Sequence, residues 1–178
     1  MRYNKSSGGF TLIELLIVIA ILGALAIGLL AALDPLEQLK KGADTATRNI
    51  ALEFHNGIVR YYALKGYMPW CDPTNGCTDP AEGETLNGAG AQDAITAIVG
   101  IGELKQNFKD VHASELNKIY LYGVATPTGG ASDTAVVCFQ PRSKAVQLDA
   151  NTIYSLNGQG PVQNCPAIGN AACYWCVQ

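Results

Sequence analysis

The segment GFTLIE, residues 9–14, followed by LLIVIAILGALAIGLLAAL, residues 15–33, decides how the chain is organised. Every residue from 15 to 33 is apolar or glycine, whereas the rest of the chain is clearly more polar. These nineteen residues in an α-helix would rise about 28 Å, close to the thickness of the hydrocarbon core of a bilayer. The segment therefore predicts one membrane-spanning helix near the N-terminus.

The residues around this apolar run differ from those of an ordinary secretory signal, which has a shorter apolar core and a small-residue cleavage site after it. Here the small pair Gly8-Gly9 comes before the run, and Glu14 lies inside its first turns. A charged side chain near the centre of a membrane costs roughly 2.5–3.5 kcal/mol on insertion scales, so an intramembrane carboxylate indicates a function. The alternative is a signal anchor with one acidic residue near the membrane interface.

A cation at the same depth would offset the cost of Glu14. Cleavage after Gly9 would create such a cation, because the new α-amino group of Phe10 would lie about one helical turn from Glu14. Between two parallel helices that are offset along their axes, the amine of one chain could meet the carboxylate of the other. Such a pair matters most in a low dielectric. The pattern thus favours a helix that packs against related helices.

The run GFTLIE with its long apolar helix resembles the class III signal of type IV pilins and type II secretion pseudopilins. The resemblance implies that a prepilin peptidase cuts the leader after Gly9 and methylates the new terminus, Phe10. It also implies that Glu14 sets the register of subunits in a filament. Close resemblance covers roughly residues 7–60, and only the general layout matches beyond them. The implied function is a structural filament subunit and not an enzyme, either of a type IV pilus or, alternatively, of a type II secretion pseudopilus.

The same resemblance implies a set of partners: identical or related pilin subunits, prepilin peptidase, an inner-membrane assembly platform, and the lipid bilayer before assembly. The positive-inside tendency places Arg2 and Lys5 in the cytoplasm and the remainder outside. After Gly9 the chain carries ten basic and fifteen acidic side chains, so it lacks the electrostatic footprint of a strong nucleic-acid binder. We expect a single-pass inner-membrane precursor that becomes part of an extracytoplasmic filament.

The remaining sequence predicts a second helical half and a small head. Apolar or small residues recur at intervals of three and four between residues 36 and 58, and Gly66 and Pro69 end the pattern. Asp34-Pro35 fits a kink or a break between the two halves. Further along, the patterns predict a loop over 71–90, a helix over 91–108, strands over 118–125 and 134–140, and additional pairing near 145–148 and 172–177.

The expected fold class is α+β and pilin-like, with a long N-terminal helix packed on a small antiparallel sheet. The first half of that helix would span the membrane, and the second half would be amphipathic. Three parts follow: a leader over residues 1–9, a transmembrane and filament-core helix over 10–34, and an extracytoplasmic head over 35–178 that includes the amphipathic half.

Six cysteines, all downstream of the apolar run, suit disulfides on the outer side, where fifteen connectivities are open. One pair is expected to close a local loop between Cys71 and Cys77, and the other four to form two bridges that tie the C-terminal segment to the sheet. Those four are Cys138, Cys165, Cys173 and Cys176. The alternatives are zinc ligation by these thiols and a membrane-anchored thiol oxidoreductase that uses the CxxC pair at 173 and 176. Structural disulfides are favoured, because that pair has no following segment to form the helix that lowers a thiol pKa.

Other polar residues form no convincing catalytic or metal site, and no cofactor is expected. Asp72, Asn75 and Asp79 offer oxygen ligands for calcium in a head loop, although their spacing matches no EF-hand, and solvated turn residues are the preferred interpretation. His55 and His112 are isolated from any nucleophile in the sequence. We expect both histidines at the surface or at an interface.

Aromatic residues cluster where the long helix is predicted to end, at Tyr61, Tyr62, Tyr67 and Trp70. They could form an adhesive patch, which would suit a sugar-binding or adhesin head at a filament tip. Packing in the core at the helix exit is the preferred interpretation.

Overall fold

The structure is a computed structural model that describes residues 9–32, 34–80, 82–131 and 133–178. It divides into two compact units, one up to Gln38 and the other from Leu39 to Gln178. Apart from Gly9, the expected leader lies outside the described residues.

The apolar segment forms the first helix, α1, Leu12–Ala32. Its stretch Leu12–Leu30 is long and apolar enough to cross a membrane, judged by length and composition. Residues 9–30 are all exposed, so the apolar surface of the helix faces outward on every side. A helix with this surface is suited to lipid or to other apolar helices rather than to water.

The second helix, α2, is Pro35–Lys65, and it begins where the sequence predicts a kink or a break. The Oδ1 atom of Asp34 accepts a hydrogen bond from the backbone N–H of Glu37 at 3.2 Å, which satisfies one of the free donors at the helix start. Proline suits the first helical position, because its missing N–H would have no helical partner there.

The larger hydrophobic core of the described head includes the apolar face of α2. Ile50, Phe54 and Ile58 of α2 are buried together with side chains of the sheet, among them Leu121 and Val137. The predicted three- and four-residue spacing therefore identifies the buried face of this part of α2.

Three further α-helices and one 3-10 turn complete the helical part of the described head. They are α3 (Ala89–Gly100), α4 (Phe108–Val111), the turn Leu116–Lys118, and α5 (Lys144–Gln147). The strands β1 (Cys71–Asp72) and β2 (Gly76–Cys77) pair as a small antiparallel hairpin.

The larger sheet has three antiparallel strands in the order β3-β4-β5. These strands are β3 (Ile119–Val124), β4 (Thr134–Phe139) and β5 (Trp175–Val177). Leu121 pairs with Val137 between β3 and β4, and Cys138 pairs with Cys176 between β4 and β5. An apolar N-terminal helix followed by an amphipathic helix and small antiparallel sheets confirms the predicted α+β class.

Two predicted elements are wrong in detail, and each has a local cause. The expected helix over residues 91–108 stops at Gly100, because Gly102 adopts a positive φ of 84° and its N–H bonds back to the carbonyl of Val99. Residues 145–148 were expected to pair as a strand. They lie mostly in α5 instead, where the side chain of Ser143 caps the helix by accepting from the N–H of Val146.

Candidate functional site

The start of α1 is held by reciprocal hydrogen bonds between Thr11 and Glu14. The Oε2 atom of Glu14 accepts from both the backbone N–H and the hydroxyl of Thr11, each at 2.8 Å. In return, the backbone N–H of Glu14 donates to Oγ1 of Thr11 at 3.3 Å. Thr11 directly precedes the helix, so the two residues form a capping box.

This capping box shows how the chain itself accommodates a carboxylate in the first turn of an apolar helix. A carboxylate near a helix N-terminus is stabilised by the helix dipole and by free N–H donors. The Oε1 atom of Glu14 has no hydrogen-bond partner among the residues that the structure describes. One oxygen thus remains open to a cation supplied by another molecule.

Gly9 and Phe10 lie immediately before the capping box and outside the helix. Both are exposed, and the side chain of Phe10 is 82% exposed. The backbone between them is therefore accessible to an enzyme, and an amine created at Phe10 would lie next to the capping residue Thr11. The spacing of Gly9, Phe10 and Glu14 could be read from the sequence, but the reciprocal hydrogen bonds between Thr11 and Glu14 were not predicted.

The six cysteines form three disulfides in the head. Cys71 pairs with Cys77 across the hairpin of β1 and β2, and Cys138 pairs with Cys176 between β4 and β5. Cys165 pairs with Cys173 and closes a loop within the C-terminal segment. Only the second of these bridges ties that segment to the sheet, whereas the sequence led us to expect two.

Cys173 and Cys176 do not form a redox pair with each other. Each is bonded to a different partner, so the CxxC spacing does not correspond to a vicinal disulfide. The structure contains no free cysteine among the residues it describes. This arrangement gives the thiol oxidoreductase hypothesis no reactive thiol in the described chain.

Asp72 and Asp79, near the Cys71–Cys77 disulfide, accept hydrogen bonds from groups within the head. Oδ1 of Asp72 accepts from the hydroxyl and N–H of Thr74 and from the N–H of Asn75, and these bonds lower the pKa of the Asp72 carboxyl. Oδ1 of Asp79 accepts from the indole N–H of Trp70. Within the described ranges, no group of three or more His, Cys, Asp or Glu side chains is placed to hold a metal ion.

Asp44 and Thr47 of α2 are buried, although they fall outside the three- and four-residue apolar pattern of the sequence. Asp44 is 3% exposed and accepts from the backbone N–H groups of Arg142 and Ser143 and from the Ser143 hydroxyl. Thr47 donates to Oε2 of Glu115 at 2.9 Å. Burial of Glu115 opposes its ionisation, but hydrogen bonds from Lys118 and Thr47 lower the pKa of its carboxyl. These partners come from distant segments, so helical periodicity could not reveal them.

The two histidines occupy different environments. His55 is 6% exposed, so the expectation that it lies at the surface is wrong. Burial lowers the pKa of the His55 imidazole, and a hydrogen bond with the backbone of Ala135 partly opposes that effect. His112 is partly exposed, with Nε2 4.0 Å from a carboxylate oxygen of Glu53.

The aromatic residues at the end of α2 contribute to the core of the head. Tyr61 and Trp70 are buried, and the ring of Tyr61 meets that of Tyr67 edge-on at 6.1 Å. Tyr62 is partly buried against the same core. This packing supports the preferred interpretation over an adhesive patch.

Comparison with known proteins matches only the N-terminal part of the chain. Residues 4–30 match the family model described as the prokaryotic N-terminal methylation motif. This range contains the exposed junction at Gly9, the capping box and most of α1. No curated protein and no solved structure matches the chain.

Proposed function

We propose, from the prepilin-type signal of type IV pilins and pseudopilins that this chain carries, that it is a structural subunit of a type IV pilus-like filament. In this proposal a prepilin peptidase removes the leader after Gly9 and methylates Phe10. The mature chain then assembles with identical or related subunits through α1. One observation supports it above all others: the methylation motif coincides with an apolar helix whose described side chains are all exposed.

The role proposed for Glu14 follows from electrostatics. Its hydrogen bonds to Thr11 satisfy one carboxylate oxygen but supply no positive charge. Removal of the leader creates an α-amino group on Phe10, and a neighbouring chain displaced along the filament axis brings that amine to Glu14. In a low-dielectric helix bundle this attraction favours one axial offset over others. The pair therefore sets the register between subunits.

The proposed topology has its N-terminus in the cytoplasm. Arg2 and Lys5 lie on the leader side of α1, and the positive-inside tendency keeps them there. The head with its three disulfides is then outside the cytoplasm, where disulfides persist. In the filament α1 exchanges lipid for the apolar helices of other subunits.

The direct test of processing is N-terminal sequencing combined with mass spectrometry of the protein recovered from cells. We expect a chain that starts at Phe10 and carries one added methyl group on its terminal nitrogen. A chain that retains residues 1–9, or that starts downstream of α1, would contradict the proposal. Loss of surface fibres on deletion of the gene would support a pilus, whereas loss of secreted enzymes would assign the subunit to a secretion pseudopilus.

The direct test of assembly replaces Glu14 with alanine or with glutamine. Both variants should insert into the membrane and be cleaved normally. They should assemble poorly, because the negative charge that pairs with the Phe10 amine of a neighbouring subunit is missing. Ile13→Ala is the matched control, since Ile13 is an exposed neighbour without charge. Sheared filaments and membrane-retained subunits would be quantified by immunoblot. If Glu14→Gln assembles as well as the wild type, the register argument fails.

A further inference from the structure

The head contains a cavity of about 410 Å³ between α2 and the first half of β4. Its floor is apolar and buried, formed by Ile58, Met68 and Val136. Val59 is 52% exposed and lies at the mouth. The volume falls within the range of pockets that hold small molecules, roughly 300–1,000 Å³. None of the lining residues belongs to residues 9–38, so this site is separate from the proposed assembly segment.

His55 gives this apolar cavity a buried polar group. Its described polar contact is the hydrogen bond with the backbone of Ala135, which raises the pKa as expected when a ring N–H donates to a carbonyl. Burial has the larger, opposite effect, so the imidazole is neutral near pH 7. A neutral imidazole that donates through one nitrogen presents the other as an acceptor. No second hydrogen bond of His55 is found among the described residues.

Most of the other polar side chains in the wall are already hydrogen-bonded within the head. The hydroxyl of Tyr62 donates to the carbonyl of Gly130 at 3.4 Å. The carboxylate of Asp133 accepts from the N–H groups of Thr126 and Gly130 and from the Thr126 hydroxyl. The side-chain amide of Gln178 donates to the carbonyl of Gly158, and Thr134, which also lines the cavity, is exposed. A ligand in the buried part of the cavity therefore meets mainly apolar surface and the imidazole of His55. The Asp133 carboxylate, in addition, disfavours an anionic ligand.

We propose that this cavity binds a small, uncharged aromatic molecule that carries one hydroxyl donor, a phenol in its simplest form. The hydroxyl donates to the open ring nitrogen of His55. The aromatic ring packs against Ile58 and Val136, and its edge contacts the thioether of Met68, a favourable sulfur–aromatic arrangement. An aromatic ring fits this site better than a flexible chain, because the ring gains apolar contact without losing many rotamers.

The test uses the full-length protein in detergent micelles, labelled with carbon-13 at the methionine methyl groups. Met68 lines the cavity, so its methyl signal reports on binding there. The probes are p-cresol and its methyl ether, 4-methylanisole, which has nearly the same shape but no hydroxyl donor. We expect p-cresol to shift the Met68 signal saturably with a Kd on the order of 1 mM, given its few heavy atoms. We expect the ether to bind at least about fivefold more weakly, since the hydrogen bond is lost.

Two tryptophan variants show where the probe binds. Val59→Trp should close the mouth from an exposed position and abolish the saturable Met68 shift. Leu64→Trp, a matched control at an exposed position of α2 that does not line the cavity, should leave the shift unchanged. His55→Phe should remove the preference for p-cresol over the ether.

Three results would overturn the site. They are a Met68 shift that does not saturate, equal affinity for p-cresol and 4-methylanisole, and unchanged binding to Val59→Trp. None of these results bears on whether the leader is removed or on the role of Glu14, so this site can fail while the proposed function stands.

Discussion

Thr11 has a role in α1 that can be separated from the charge of Glu14. Its hydroxyl accepts from the N–H of Glu14 and donates to the Glu14 carboxylate. Thr11→Val keeps the shape of the side chain and removes both bonds. Loss of an N-cap costs about 1 kcal/mol, so hydrogen exchange at the Glu14 amide should become roughly fivefold faster in micelles.

Thr11→Ser is the control for this prediction. Serine keeps the hydroxyl and caps helices as well as threonine does, so amide exchange at Glu14 should stay near the wild-type rate. If Thr11→Val protects the Glu14 amide as well as wild type, the capping box does not stabilise the helix start.

His55 predicts a specific dependence of stability on pH. Its folded-state pKa is lowered, chiefly by burial. Below the ordinary histidine pKa of about 6.5, the unfolded chain therefore binds a proton that the folded chain does not. The free energy of unfolding should decrease as the pH falls from about 7 through the lowered pKa, and the penalty should be absent above about pH 7.

The measurement is denaturant unfolding of the full-length protein in detergent, followed by tryptophan fluorescence. Trp70 and Trp175 are both buried in the head, so emission reports its unfolding. His55→Phe should be less stable overall but should lose less stability between about pH 7 and about pH 5 than the wild type does. Equal slopes for the two proteins would show that His55 does not control this dependence.

At the scale of elements, periodicity in the sequence predicted the apolar contacts of α2 but not its buried polar contacts. The buried face at Ile50, Phe54 and Ile58 follows from three- and four-residue spacing alone. Asp44 is buried on the same helix because its hydrogen-bond partners at Arg142 and Ser143 are almost a hundred residues away in sequence. No local pattern contains that information. The α+β class and the position of α1 could thus be predicted, but the polar anchors of α2 could not.

The candidate site could likewise be predicted only where its residues are close together in the sequence. Gly9, Phe10 and Glu14 stand out in the sequence because a carboxylate in an apolar run needs a reason. The capping box was also readable, since threonine followed three residues later by glutamate before an apolar run is its known signature. The cavity beside His55 was not readable, because it forms only where α2 meets β4.

The contact between Asp44 and the start of α5 should be a major anchor of α2 within the head. Asp44→Asn puts an amide, which carries its own N–H donors, against the donors of Arg142 and Ser143. Hydrogen bonds to a buried carboxylate contribute about 1.5–3 kcal/mol, so we expect a loss of roughly 2 kcal/mol in unfolding free energy. The measurement is again tryptophan-detected unfolding.

Asp93→Asn is the matched control for this loss. Asp93 is an exposed carboxylate on α3, where such a change should alter stability by less than about 0.5 kcal/mol. If Asp44→Asn is as mild as Asp93→Asn, the bonds to residues 142 and 143 do not anchor α2.

At the scale of the whole molecule, the two compact units carry different chemistry. The unit that ends at Gln38 contains the methylation motif and α1, whereas the unit from Leu39 onward contains all six cysteines and both tryptophans. Stability of the head can therefore be followed by fluorescence without altering the residues proposed for assembly. Conversely, changes at Glu14 should leave the fluorescence transition of the head unchanged.

The disulfides should contribute unequally to that transition. The Cys138–Cys176 bridge closes a loop with a sequence separation of 38, whereas Cys71–Cys77 has a separation of 6. If a disulfide acts mainly by restricting the unfolded chain, the bridge that closes the longer loop contributes roughly 1.5 kcal/mol more to the free energy of unfolding. The double variant Cys138→Ala, Cys176→Ala should therefore lose more stability than Cys71→Ala, Cys77→Ala, and alanine avoids burying new hydroxyl groups. Because Cys138 and Cys176 are also the more buried pair, lost packing acts in the same direction. Equal losses in the two variants would mean that loop closure does not govern the stability of the head.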